Sequence, residues 1–251
     1  MSSAASANNL DRALDAAEIE KTIDQLRVRI TERFPQAGLG HTCRTLHTVA
    51  RETQKTVEWI SRPNQLIRWS VVALIALLAL VLVVSVAQLE FCPGRVTVAY
   101  LVHFTEAALN EIVLIGAGVL FLVTLENRRK RKRVVASVNR LRRLAHIVDA
   151  HQLTKNPDSV SRLAVPTAHS PKRTLDDVQL ARYLNYCSEM LSLIGKLGFL
   201  YAQDFHDPAA NGAVNDLETL TTGLSRKIWQ KIMILDLRLG RGPDGQAQRG
   251  K

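Results

Sequence analysis

The chain has 251 residues, 47% of them hydrophobic and 22% charged, with a formal net charge of +10. These averages hide an uneven distribution. Trp69 to Ala87 contains no charged residue, and Ser70 and Ser85 are its only polar side chains, a pattern that excludes an ordinary water-soluble chain. Three cysteines and 5% aromatic residues exclude a disulfide-stapled secreted scaffold. Residues 126 to 155 carry 10 Lys or Arg against 2 Asp or Glu. That is a local concentration rather than the broad basic face of a nucleic-acid-binding domain, and no nucleic acid is expected as a partner.

Residues 1–62 read as an N-terminal cytoplasmic helical segment. Ile19, Ile23, Leu26 and Ile30 recur at helical spacing, and Pro35, Gly38 and Gly40 interrupt the pattern. A second amphipathic stretch carries Leu46, Val49, Ala50, Val57 and Ile60. Two helices are expected, with Gly38-Leu39-Gly40 as a turn between them. Acidic and basic residues nearly cancel here, so a salt-bridge-laced outer face is expected.

Residues 63–127 predict a transmembrane hairpin of two helices. Trp69 to Ala87 would extend about 28 Å as a helix, close to the hydrocarbon thickness of a bilayer. Ser61-Arg62-Pro63 provides its start, and Arg68 and Trp69 suit the headgroup level. The second apolar run, Ile112 to Leu125, reaches only about 21 Å. Extending it back to Ala107 gives a full span and brings Asn110 and Glu111 to the outer edge of the hydrocarbon. Thr105 and Glu106 offer a helix start, and the short outer loop, about 90–106, turns at Pro93-Gly94. Arg51, Lys55, Arg62 and Arg68 precede the first span, six cations follow the second, and only Arg95 lies between. This asymmetry predicts both termini in the cytoplasm of a plasma or inner membrane protein.

Residues 128–155 form a basic juxtamembrane helix. Arg128, Arg129, Lys130, Arg131, Lys132 and Arg133 lack interleaved aromatics, and they are assigned to anionic headgroups of the inner leaflet and to topology. No Pro or Gly follows until Pro157, which predicts one long rod, and Val134, Val138, Leu141, Ala145 and Val148 step by four and three as a short coiled-coil-like seam. Residues 156–174 read as a linker. Residues 175–239 read as a cytoplasmic αα-hairpin. Its first arm starts near Thr174-Leu175-Asp176-Asp177 and carries Leu180, Leu184, Cys187, Leu191, Ile194, Gly198 and Tyr201. Its second arm is capped at Asn215 and carries Leu217, Leu220, Leu224, Ile228, Ile232 and Leu235. Residues 240–251 have the composition of a disordered tail.

The expected fold is thus an all-α membrane protein, a two-span hairpin bearing N- and C-terminal cytoplasmic helical segments. No H-E-x-x-H, G-x-S-x-G, phosphate-loop or G-x-G-x-x-G pattern is present, so no enzymatic activity, cofactor or metal is expected. His146 and Asp149 share a helix face, but His151 falls five positions from His146, and no Cys/His pair completes a metal site. Cys43, Cys92 and Cys187 are widely spaced. His151, Gln152 and Lys155 are candidates for contact with a ligand or a cytoplasmic protein partner. Asn110 and Glu111 are candidates for polar groups at a pore mouth. The leading expectation is a membrane-anchored scaffold, sensor or interaction module, assembled as a homo-oligomer because its apolar seams need partner surfaces. The alternative is an oligomeric ion channel or membrane-permeabilising effector. The order of segments is similar to that of two-span effectors of bacterial defence systems, a resemblance of layout and topology that carries no site residues.

Overall fold

Helix starts follow the capping residues more closely than the glycines. The computed structural model describes residues 14–62, 65–90, 98–155 and 175–240. These hold six helices and no strand: α1 (Ala16–Arg33), α2 (Gly38–Ser61), α3 (Gln65–Glu90), α4 (Val98–Leu153), α5 (Asp177–Gln203) and α6 (Pro208–Arg238). Asp15 caps α1 by accepting from the Ala17 N–H at 2.9 Å. Asp176 and Gln179 form a reciprocal capping box on α5.

Three boundaries differ from the sequence expectation. Gly38 and Gly40 belong to the first turn of α2 rather than to a turn outside it, because Gly40 is buried and lies against Ile30 of α1. The second apolar helix begins at Val98, before Thr105, so residues 98–106 of the expected outer loop are helical. The last helix begins at Pro208, two turns before Asn215. Buried Asp207 accepts from the Ala209 and Ala210 N–H groups, and proline at the first helical position costs no hydrogen bond. Pro63, Cys92, Arg95, the 156–174 linker and residues 241–251 lie outside the described residues.

The chain divides into two compact units, Met1–Ser61 with Val134–Lys251, and Arg62–Arg133. In the first, the seam Val134, Val138, Leu141, Ala145 and Val148 is fully buried within the chain itself. The surrounding helices account for this. Arg140 of α4 pairs with Glu52 of α2, Arg142 pairs with Asp216 of α6 at 3.1 Å, and Lys231 of α6 donates to the Gln152 carbonyl at 3.0 Å. The seam therefore needs no second copy. Each such Val or Leu contributes about 1.5–3 kcal/mol through burial.

Helices α5 and α6 are antiparallel. A Cβ added at Gly198 would meet Leu217, and one at Gly195 would meet Thr221, so the pairing advances on one helix as it retreats on the other. The outer charges of α1 and α2 pair as expected, with Arg27 on Asp24 at 2.8 Å, Arg51 near Glu20 at 3.6 Å and Arg29 reaching Glu189 of α5 at 2.8 Å. Gly240, with φ of 65°, ends α6 in the left-handed region that side chains avoid.

The second unit has the opposite surface. Ile112, Val113 and Leu114 are 60%, 69% and 73% exposed. Successive helical residues turn by about 100°, so these three alone spread apolar surface over more than half of the circumference. Trp69, Val72, Ile75, Leu77, Leu80 and Val83 are exposed on α3 in the same way. Among the described residues one helical stretch, within Leu109–Leu153, is long and apolar enough to cross a membrane, and Arg68–Val81 is a shorter apolar stretch.

Within this unit α3 and the apolar part of α4 are antiparallel neighbours. A Cβ at Gly118 would lie 3.3 Å from Leu74, and Lys130 donates to the Arg62 carbonyl at 3.3 Å. Moving from position 62 to 74 along the chain into α3 corresponds to moving from 130 back to 118 on α4.

Candidate functional site

Four helix ends meet in the first unit. The last turn of α1 contributes Arg33 and Phe34, the start of α2 contributes Ala37 and Gly38, the end of α4 contributes His151 and Lys155, and the start of α5 contributes Gln179 and Tyr183. Together they line an open cleft of about 710 Å³. Two N-termini and two C-termini converge, so their helix dipoles largely offset one another, and the side chains set the sign of the field. Arg33 and Lys155 are cationic, and among the described residues no Asp or Glu lines the cleft.

Aromatic packing fixes the floor. Phe34 meets Tyr183 and Tyr186 edge-on, with ring centroids 5.5 and 6.2 Å away. Lys155 Nζ sits 5.8 Å from the Tyr183 ring centroid, a cation–π arrangement that holds the ammonium at the cleft wall.

His151 is held from behind. Its Nε2 lies 2.9 Å from Thr42 Oγ1, and the Thr42 hydroxyl is 3.2 Å from the Gly38 carbonyl as a donor. When the threonine proton goes to that carbonyl, Nε2–H donates to Oγ1 and Nδ1 keeps its lone pair. A Cβ at Gly38 would stand 2.7 Å from His151 Cε1, so any larger residue there would push the imidazole from its place.

Of the three residues singled out at the end of α4, the structure brings His151 and Lys155 to one cleft and turns Gln152 away from it. Gln152 is 2% exposed. Its side chain donates to Asp149 and accepts from Lys231 Nζ at 2.6 Å, while its backbone carbonyl takes a second bond from the same ammonium. Gln152 thus anchors the helix end against α6. Arg33, Thr42, Gly38 and Tyr183 were missed by sequence reading. Their only local sign was a basic last turn in α1, and their assembly depends on packing between helices distant in sequence.

The cations Arg128, Arg129, Arg131, Lys132 and Arg133 are exposed, and Lys130 is partly covered, paired with Glu126 at 2.9 Å. Asn110 is exposed, whereas Glu111 is partly buried on the stripe Glu111, Ile115, Gly118, Leu122 and Leu125 that faces α3. Cys43 and Cys187 are buried, and desolvation pushes both thiols up to about 12, which makes them inert as nucleophiles. Among the described residues no three His, Cys, Asp or Glu side chains group as metal ligands. No family model, curated protein or solved structure matches the chain.

Burial first, and the Lys155 ammonium second, hold His151 below the ordinary imidazole value of 6.5. The unfolded chain therefore binds more protons than the folded chain once the pH drops below about 6.5, so stability is complete above that value and declines as the solution is acidified. The unfolding temperature of detergent-solubilised protein is expected to be lower at pH 5.5 than at pH 7.5, with a smaller drop in His151→Asn. Equal drops in the two proteins would assign the effect to other groups.

Proposed function

We propose that the chain is an integral membrane protein in which α3 and the apolar part of α4 form a two-span hairpin, with the helical unit built from α1, α2, α5, α6 and the end of α4 acting in the cytoplasm as a sensor or interaction module. The observation that carries this reading is the consecutive exposure of Ile112, Val113 and Leu114. Contiguous apolar surface of this kind is unfavourable in water and favourable in hydrocarbon. The antiparallel contacts at Leu74–Gly118 and Arg62–Lys130 fit a hairpin whose basic ends share one side, where they meet anionic headgroups.

The anchor reading is favoured over the channel because the apolar seams of the helical unit are already covered within the chain and call for no ring of subunits. A homo-oligomer would be held by surfaces other than these seams, the exposed apolar parts of α3 and α4 among them.

Fractionation and thiol labelling test the reading together. The protein is expected to remain in membranes washed with alkaline carbonate and high salt and to leave them only in detergent. A membrane-impermeant maleimide added outside intact cells should label Cys92, since Cys43 and Cys187 are buried. Release by carbonate, or labelling of Cys92 only after the cells are opened, would overturn the hairpin and its orientation.

A further inference from the structure

We propose that the cleft between the ends of α1, α2, α4 and α5 binds the phosphate group of a small molecule. This deepens the sensor form of the preceding reading by naming a ligand class. The two can fail separately, because the cleft can be titrated whether or not α3 and α4 cross a membrane.

The cleft, at about 710 Å³, falls in the range of small-molecule sites. Its sign is the deciding feature. Arg33 and Lys155 come from different chain segments, and among the described residues no carboxylate lines the walls to neutralise them and neither forms an ion pair. Gln36 and Gln179 add amide donors from the α1–α2 turn and from α5. Donors arriving from three chain segments suit a tetrahedral group with several oxygens better than a planar carboxylate, which is satisfied by one fork of donors. His151 is positioned for the remaining proton. In the tautomer whose Nε2–H donates to Thr42, Nδ1 can accept from the hydroxyl of a singly ionised phosphate. Lys155 is held at the wall by Tyr183, so less of its side-chain freedom is lost on binding.

The test uses the full chain in phosphatidylcholine nanodiscs. Pyrophosphate and ATP are titrated at constant ionic strength, with acetate as the carboxylate comparison, and binding is read by calorimetry and thermal shift. Lys155→Glu and Arg33→Glu alter partly or fully exposed side chains, and circular dichroism verifies that each variant keeps its helices. Each is expected to weaken pyrophosphate or ATP by at least about tenfold, the scale of losing one charge-assisted contact. Arg44→Glu, an exposed reversal on α2 outside the cleft, should leave binding within about twofold of the parent.

A parallel arm replaces part of the phosphatidylcholine with phosphatidylglycerol and omits soluble phosphate. A thermal shift there that disappears in Lys155→Glu assigns the phosphate to a lipid headgroup, while a response to the soluble probes alone assigns it to a free molecule. The proposal is overturned if no probe or lipid gives an effect sensitive to both cleft variants, if Arg44→Glu weakens binding equally, or if acetate binds as tightly as pyrophosphate.

Discussion

Leu114→Arg and Ile147→Arg are expected to give opposite results although both residues are exposed on the same helix, at 73% and 45%. At Leu114 the surrounding medium is taken to be lipid, where a central arginine costs about 3 kcal/mol, roughly a hundredfold in the ratio of inserted to uninserted helix. At Ile147 the medium is water, and the same change should alter stability by less than about 0.5 kcal/mol. Carbonate-resistant membrane association together with Cys92 accessibility reads the first, and thermal unfolding of the detergent-solubilised protein reads the second. Indifference at both positions would mean that the apolar belt faces water or an unidentified protein surface.

Leu141→Ala should be a strongly destabilising truncation in the unit formed by α1, α2, α5, α6 and the end of α4. Leu141 is fully buried in the middle of the α4 seam, and deletion of such a side chain costs about 2–5 kcal/mol, depending on how far its neighbours collapse. For a unit of this size that corresponds to a fall of roughly 10 °C in unfolding temperature. Because α2 and α6 of the same chain are joined to this part of α4, the fall should not depend on protein concentration. A loss that deepens on dilution would instead place a second copy against the seam.

Periodicity was the most informative layer of the sequence. The seams of α1, α4, α5 and α6 could be read because burial on a helix recurs every three or four residues, and the residues so identified are the ones with almost no exposure, apart from the partly buried Leu220. Caps were less secure. The stretch Thr174 to Asp177 marks the start of α5 without singling out Asp176 or its box partner Gln179, and the cap expected at Asn215 gives way to Asp207, with Asn211 and Gly212 accommodated inside α6. Overweighting of glycine placed Gly38 and Gly40 in a turn.

The cleft was legible only at one wall. His151 and Lys155 stood out as polar groups at a helix end, but Arg33, Thr42 and Tyr183 join them through contacts between helices that local patterns do not encode. Gln152 has the same composition signal as its neighbours and a different role, decided by Lys231 nearly eighty positions away.

From Val119 to Leu153 α4 contains neither proline nor glycine, the residues at which long helices are most readily kinked. Its backbone hydrogen-bond ladder therefore runs without the interruption that either residue introduces.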